Sequence, residues 1–285
     1  MRIRPGPYAR GVFVSLSTDF GASSTAICAG VVHSIAPRAT VLVLSDEIGQ
    51  YRIVEGAMLL RRALPYLPVG VHMGIVDPGV GTSRRPVAVE TVRGDVLVGP
   101  DNGLLVPAAE LLGGIATVHR LDNPDYRLPR VSGTFHGRDV FAPAAAHIAL
   151  GADLDTLGVE LAADDLVTLD IPAPQVGEGE LVLPVLYTDE FGSLVLGGER
   201  ADLSAALGLR ELAGTRVVVA WTGPDGEPRT VAVPFEHTYG AVPAGQPLCY
   251  EDSSGWLGVA VNQGSAARRL GIAPGDVITL RADQG

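Results

Sequence analysis

Cysteine is almost missing from this chain: Cys28 and Cys249 are the two present in 285 residues. So distant a pair, in no metal-ligand spacing, argues against a disulfide framework and predicts buried, reduced thiols in a cytoplasmic protein. Aromatic residues are scarce, 5% of the chain against 47% hydrophobic in total, so the interior must be built from Val, Leu, Ala and Ile. Basic residues are in deficit, with 21 Lys plus Arg facing 32 Asp plus Glu, a net charge of −11, and no basic run occurs. That removes the electrostatic attraction on which binding to nucleic acid or anionic membrane depends, leaving a small molecule as the expected partner. No apolar run approaches membrane-spanning length, and the opening "MRIRPGPYARGVFVSL" has an apolar stretch too short for a secretion signal. HxH, HxxxH and HExxH patterns are absent, so no metal site is expected, and "GVGTSR" lacks the G-x-G-x-x-G of a dinucleotide loop.

The chain is long for one hydrophobic core, and its texture predicts two domains. "GVFVSLS", "ATVLVLSDE" and "GVHMGIVD" read as apolar strands, alternating with helical patterns in "STAICAGVVHSIAP" and "YRIVEGAMLLRRALPYLP". Strand, helix, strand, helix predicts an α/β N-terminal domain, residues 10–168, with a mainly parallel central sheet. Ligands of such sheets lie beyond the carboxyl ends of the strands, where Asp19, Asp46, Asp77 and Asp101 fall. Residues 169–180 are rich in Pro and Gly and read as a linker. Short strands separated by "DEFGS", "GPDGEP" and "DSSG" then predict a smaller all-β barrel over 181–285.

Four polar clusters are bracketed by glycine: "STDFG" (17–21), "VDPGVGTSRR" (76–85), "GPDNG" (99–103) and "GTFHGRD" (133–139). Glycine lets the backbone approach a ligand closely, so four such clusters suggest a site, although each by itself also reads as a tight turn. His136, just before a helical run, is placed to face a crevice. His33, His72, His119, His147 and His237 read instead as structural groups.

Taken in order, "TDFG", "VDPGVGTSRR", "GPDNG", "TFHGRDVFAP", "DEFGS" and "SSGWLGVAVNQGSAA" resemble the S-adenosyl-L-methionine hydroxide adenosyltransferases, relatives of the fluorinases and chlorinases. The resemblance runs from about Val12 to Asp276. It implies hydrolysis of S-adenosylmethionine to adenosine and methionine by water or hydroxide attacking the ribose C5′, with no cofactor. It also implies a homotrimer whose sites lie between subunits.

The family's water-activating triad falls on Asp77, Arg84 and His136. Sulfonium chemistry suits them. The thioether leaves neutral, so no acid is needed, and the difficulty is a nucleophile from water, whose bulk pKa is about 15.7. At an effective dielectric of ~20, a guanidinium ~4 Å away stabilises hydroxide by roughly 4 kcal/mol. On this reading His136 takes the proton and Asp77 orients the group.

The resemblance further implies Asp19 on the ribose hydroxyls and Tyr51 packed on the substrate. Asp189 would meet the methionine ammonium, Ser253 the methionine carboxylate and Phe191 the adenine, with backbone near Val261 and Gln263 at the adenine edge. Ser24 stands near where the family carries a second acid, and Ser193 stands where it carries an asparagine. A halide-using relative and a binding protein without turnover are the alternatives, and retention of the full triad weighs against both.

Overall fold

The computed structural model describes residues 13–283. The expected domain limits at residues 10 and 285, and the first twelve residues of the opening stretch read for a signal, lie outside the described residues. The chain divides after Leu169 into two compact units.

In the first unit the elements run β1 (Phe13–Thr18), α1 (Gly21–Ile35), β2 (Thr40–Ser45), α2 (Ile53–Ala63), β3 (Val71–Ile75), β4 (Pro86–Thr91), β5 (Val96–Pro100), α3 (Val106–Leu111), β6 (Ile115–Arg120), α4 (Ala142–Ala149), α5 (Leu154–Leu157) and β7 (Glu160–Leu161). Prolines punctuate the helices as the sequence predicts. α1 stops one residue short of Ala36, whose helical conformation Pro37 disfavours, and α2 gives way at Leu64 before Pro65. β3 and β5 are buried along their whole length. On one face of the sheet, Val14, Leu16, Met73 and Val98 pack with Cys28 and Val32 of α1 and Phe141, Ala145 and Ile148 around α4.

The sheet order is β2-β1-β3-β5-β4-β6-β7. Its first three pairings are parallel and its last three antiparallel, which corrects the expectation of a mainly parallel sheet to a mixed one. The reason is the turn between β4 and β5. Gly94 takes φ 99°, and Thr91 and Asp95 close a hairpin through a Thr91 N–H to Asp95 O bond of 2.8 Å, too tight for a crossover helix. β2 also differs from its apolar reading: it is an edge strand, with Leu42 and Val43 exposed.

Ser15, His72 and Asp95 form a buried chain from β1 through β3 to the turn before β5. The Ser15 hydroxyl lies 2.8 Å from His72 Nδ1, and His72 Nε2 lies 3.0 Å from Asp95 Oδ1. The residue types are those of a nucleophilic triad, but all three are fully buried, so the chain is a brace, as the structural reading of His72 expected.

The second unit comprises β8 (Gln175–Val176), β9 (Glu180–Thr188), β10 (Leu194–Glu199), α6 (Arg200–Leu207), β11 (Arg216–Thr222), β12 (Pro228–Pro234), β13 (Pro247–Glu251), β14 (Trp256–Val261), α7 (Ala266–Leu270) and β15 (Val277–Ala282). Its sheet runs β12-β11-β15-β9-β10-β14-β13, every pairing antiparallel, with β8 beside β9. The two ends meet where Glu236 N–H donates to Cys249 O at 2.9 Å, so the sheet is a nearly closed, barrel-like surface around Leu183, Leu196, Val219, Phe235 and Val259.

The unit is not purely β. α6 begins where the Asp202 carboxylate accepts the Glu199 N–H at 2.8 Å, and it ends on Gly208 at φ 66°, cap signals the strand pattern overrode. β8 likewise lies inside the stretch read as a linker.

Candidate active site

β3 carries the chain into Asp77, and the loop then turns back through Gly79 and Gly81 to Arg84, just before β4. Gly81 has φ 76°, and a side chain there would place a carbon 2.2 Å from the carbonyl oxygen of Gly133. Only glycine lets these two loops touch, and that contact brings His136 beside Arg84.

The Arg84 guanidinium grips Asp77 with both prongs of its fork, Nε donating to Oδ1 at 3.0 Å and Nη2 to Oδ2. The side chains are nearly closed off, 7% and 6% exposed. Arg84 Nη2 also lies 3.2 Å from His136 Nδ1, and the guanidinium carbon sits 5.2 Å from the centre of the Phe141 ring. Guanidinium offers donors only, so His136 Nδ1 accepts, and the imidazole proton is on Nε2. Burial, then the Arg84 charge, push the His136 pKa below its ordinary value, with Asp77 opposing. The remaining Arg84 nitrogen, Nη1, is buried without a hydrogen-bond partner among the described residues. Among the described residues, a guanidinium N–H and an imidazole N–H are thus both uncommitted on one short chain of side chains. Donors so arranged suit a water molecule or a small anion.

His136 opens a π-helical turn, Gly137–Phe141, that runs into α4. Such turns re-aim side chains at functional sites. Asp139, fully buried, fixes this one by accepting from Arg138 Nε at 2.6 Å and from Ser132 N–H at 2.8 Å. Arg138 and Asp139 are therefore props of the His136 loop.

Asp19 follows β1. Its Oδ2 accepts the Tyr51 N–H at 2.9 Å, and its pKa is raised, chiefly by burial, with the Asp77 charge adding to the effect. Asp19, Tyr51, Asp77, Arg84 and His136 therefore gather past the carboxyl ends of β1 and β3. Ser24 lies nearby in the first turns of α1, half-buried. Tyr51 is 70% exposed and has φ 64°, a conformation a bulky residue adopts only under constraint.

Asp46 is half-buried beyond β2, and no group of three or more His, Cys, Asp or Glu is placed to hold a metal ion among the described residues. "GPDNG" proves to be scaffolding. Asp101 accepts from Arg85 Nε at 2.7 Å and from Val167 N–H at 2.9 Å, while Asn102 Nδ2 donates to the Val76 carbonyl at 2.8 Å and steadies the approach to Asp77. Neither Asn102 nor Phe141 was singled out from the sequence. An asparagine beside a strand-end acid was the available signal for the first, and the second had none.

In the second unit, Asp189 Oδ1 accepts the N–H groups of Phe191 (3.0 Å) and Ser193 (2.7 Å), closing the turn between β9 and β10. Ala267 N–H donates to Gly192 O at 3.0 Å and docks that turn on the segment after Val261. Phe191 is 76% exposed, whereas Ser193 is buried. Val261 is buried at the end of β14, and Gln263, at φ 54°, is the other non-glycine residue with positive φ among those described. Ser253 lies in the β13–β14 turn, at the opposite end of β14 from Val261.

Fold and site together define a two-unit protein in which a mixed α/β sheet holds a buried carboxylate–guanidinium–imidazole chain and a barrel-like antiparallel unit follows. The chain belongs to the SAM hydroxide adenosyltransferase family: residues 14–158 match its N-terminal domain and residues 183–279 its C-terminal domain. It is 38% identical over 275 residues to a protein of Salinispora tropica named (R)-S-adenosyl-L-methionine hydrolase, covering 95% of this chain and 98% of that one. A protein of the same name from Thermus thermophilus is also 38% identical, over 92% of this chain and 97% of its own. A fluorinase of Actinoplanes sp. is more distant, 26% identical over 94% of this chain and 96% of its own. The crystal structure of an uncharacterized conserved protein from Thermotoga maritima superposes with a TM-score of 0.83 at 29% identity, covering 94% of this chain and 99% of that one.

Proposed function

We propose that this protein is an enzyme that hydrolyses S-adenosyl-L-methionine to adenosine and L-methionine, with Asp77, Arg84 and His136 acting on the attacking water. The observation that carries the reading is the orphaned Nη1 of a nearly buried Arg84 already committed to Asp77 and His136. A water held by Arg84 Nη1 and by His136 Nε2–H meets a cation and a neutral donor, both of which favour its hydroxide form. His136, with Nδ1 taken, serves as a donor here, and not as the base its residue type suggested. The proton passes to solvent when the hydroxide forms. Hydroxide then attacks C5′, the C–O bond forms as the C5′–S bond breaks, and the electron pair leaves on the neutral thioether of methionine. Asp77 anchors Arg84 and keeps its fork in place.

Asp19 binds the ribose hydroxyls in this reading, Tyr51 covers the substrate and Ser24 borders it. Asp189, Phe191, Ser193, Ser253, Val261 and Gln263 serve the adenine and methionine ends. Ser193 would act by fixing its turn, since it is buried and its N–H donates to Asp189. Exposure of Tyr51 and Phe191, and of Leu42 and Val43 on an edge strand, supports a homotrimer with inter-subunit sites. Residues 10–168 and 181–285 would be its two domains. S-adenosylmethionine is the substrate and no other cofactor is invoked. Two buried, unpaired thiols support a cytoplasmic protein, and among the described residues no helix is long and apolar enough to cross a membrane.

The test is incubation with S-adenosylmethionine in ¹⁸O-water with and without chloride. Adenosine labelled at its 5′ oxygen, with no chlorinated nucleoside, is the expected product. Unlabelled adenosine, chlorinated product or absence of turnover would overturn the reading.

A further inference from the structure

At the opposite end of the strands from Asp77, Arg84 and His136 lies a cavity of about 370 Å³. It opens where β3 and β5 begin and where α4 ends. Register explains its polar wall: Glu90 pairs with Thr117 and Ala88 with His119, so Glu90, Thr117 and His119 project from one face of the sheet. Asp153 and Asp155 face the cavity from the start of α5. Among the described residues, no lysine or arginine lines it.

His119 is the informative residue. It is 6% exposed, and its Nδ1 has no hydrogen-bond partner among the described residues. A buried polar atom left unpaired is costly, and its position in a cavity wall identifies a place where a ligand atom would repay that cost. With the ring proton on Nε2, Nδ1 offers a lone pair. Asp153 and Asp155 offer only acceptors, while Glu90 is engaged, its Oε2 accepting from the Thr117 hydroxyl at 3.3 Å. His119 and the two aspartates are thus matched to a donor. An anion would meet the charges of Asp153 and Asp155, and the absence of a ligating cluster among the described residues disfavours a metal ion. Val69, Val71, Ile148 and Leu154 supply apolar walls beside the acids, and the volume lies at the lower end of the range for small-molecule sites.

We propose that this cavity is a second ligand site, selective for a small aliphatic ammonium, whose three N–H donors meet His119, Asp153 and Asp155 while its alkyl part lies on the valine and leucine wall. The inference is independent of the hydrolytic reading.

The probe is 1-butylamine, applied to the full chain at constant ionic strength, with 1-butanol as the neutral and butyrate as the anionic counterpart. Calorimetry measures affinity, and NMR follows the His119 imidazole signals, assigned by their loss in His119→Gln. Butylammonium should bind and shift the His119 signals, whereas butanol and butyrate should do neither. The double variant Asp153→Asn/Asp155→Asn, altered at exposed positions, should fold normally and hydrolyse substrate as before. It should bind butylammonium about tenfold more weakly, the effect expected from two partly exposed charge pairs. A cavity that holds only water, equal binding of all three probes, or unchanged affinity in the double variant would each overturn the proposal.

Discussion

Arg84 Nη2 lies 3.2 Å from His136 Nδ1, so a permanent cation occupies the lone pair that a histidine base would use. The two residues are 52 positions apart and meet because the Gly81 and Gly133 loops touch.

Removing Arg84 takes away charge stabilisation that matters only as hydroxide forms and attacks. Arg84→Lys keeps a cation but cannot serve Asp77, His136 and water from one planar fork. Its kcat should fall about 10²- to 10³-fold with KM little changed, as for loss of an oxyanion donor. Steady-state kinetics decide, and a rise in KM at unchanged kcat would contradict the role.

His136→Ala removes the second donor, so the water should ionise at higher pH and the acid limb of the kcat profile should move to alkaline values. A histidine acting as base gives a different result, in which the limb belongs to His136 and disappears in the variant. Because burial and Arg84 depress the His136 pKa, the folded protein binds this proton less readily than the unfolded chain does. The corresponding stability is present above the ordinary histidine value of about 6.5 and declines as pH falls below it.

Asp19→Asn should weaken adenosine binding by about tenfold or more while leaving the thermal midpoint nearly unchanged, the usual cost of a hydrogen bond to a charged acceptor. Calorimetry with adenosine and 2′-deoxyadenosine separates ribose recognition from a general defect. Equal affinity of the unaltered protein for both would remove Asp19 from the ribose.

Gly81→Ala forces a carbon to 2.2 Å from the Gly133 carbonyl oxygen in a backbone conformation that alanine resists. It should cost about 1–3 kcal/mol and separate Arg84 from His136, lowering kcat out of proportion to the stability lost. Gly133→Ala, whose added carbon meets open space, is the control and should leave both nearly unchanged.

Burial tends to raise the Asp95 pKa, but hydrogen bonds and charge from His72 and Arg93 outweigh it and hold the carboxyl down at about 2. A depressed carboxylate stabilises the fold above its unfolded value, so the contribution, of order 2 kcal/mol, is complete above pH ~4 and lost as pH falls towards ~2. Urea unfolding across that range should be steeper in pH for the unaltered protein than for Asp95→Asn. Parallel curves would refute the brace.

Much of the site was legible because it lies in short strings with unusual chemistry: an acid at a strand end, glycines that permit contact, an arginine a few residues on. Local patterns do not record partners distant in sequence. The apolar composition of β2 predicted burial, yet its place at the sheet edge exposes Leu42 and Val43. "GPDNG" carries the polar residues of a ligand loop, yet Asp101 spends them on Arg85 and Val167. Residue type alone read His136 as a base, and residue type carries no information on the tautomer. That depends on a neighbour 52 residues away. Strand direction was misjudged for a related reason, since one four-residue turn reverses the order that alternating strands and helices suggest.

Cys28 lies in the α1 core of the first unit and Cys249 at the seam where the barrel-like sheet meets itself; burial drives both thiols up to about 12. Thiols so placed are silent towards alkylating reagents until their own surroundings open. Nature has therefore put one chemical clock in each unit. Labelling of Cys28 times the loosening of the α/β sheet, and labelling of Cys249 times the parting of the seam. A mass spectrum of the two peptides then tells whether the halves of this chain come apart together or in turn.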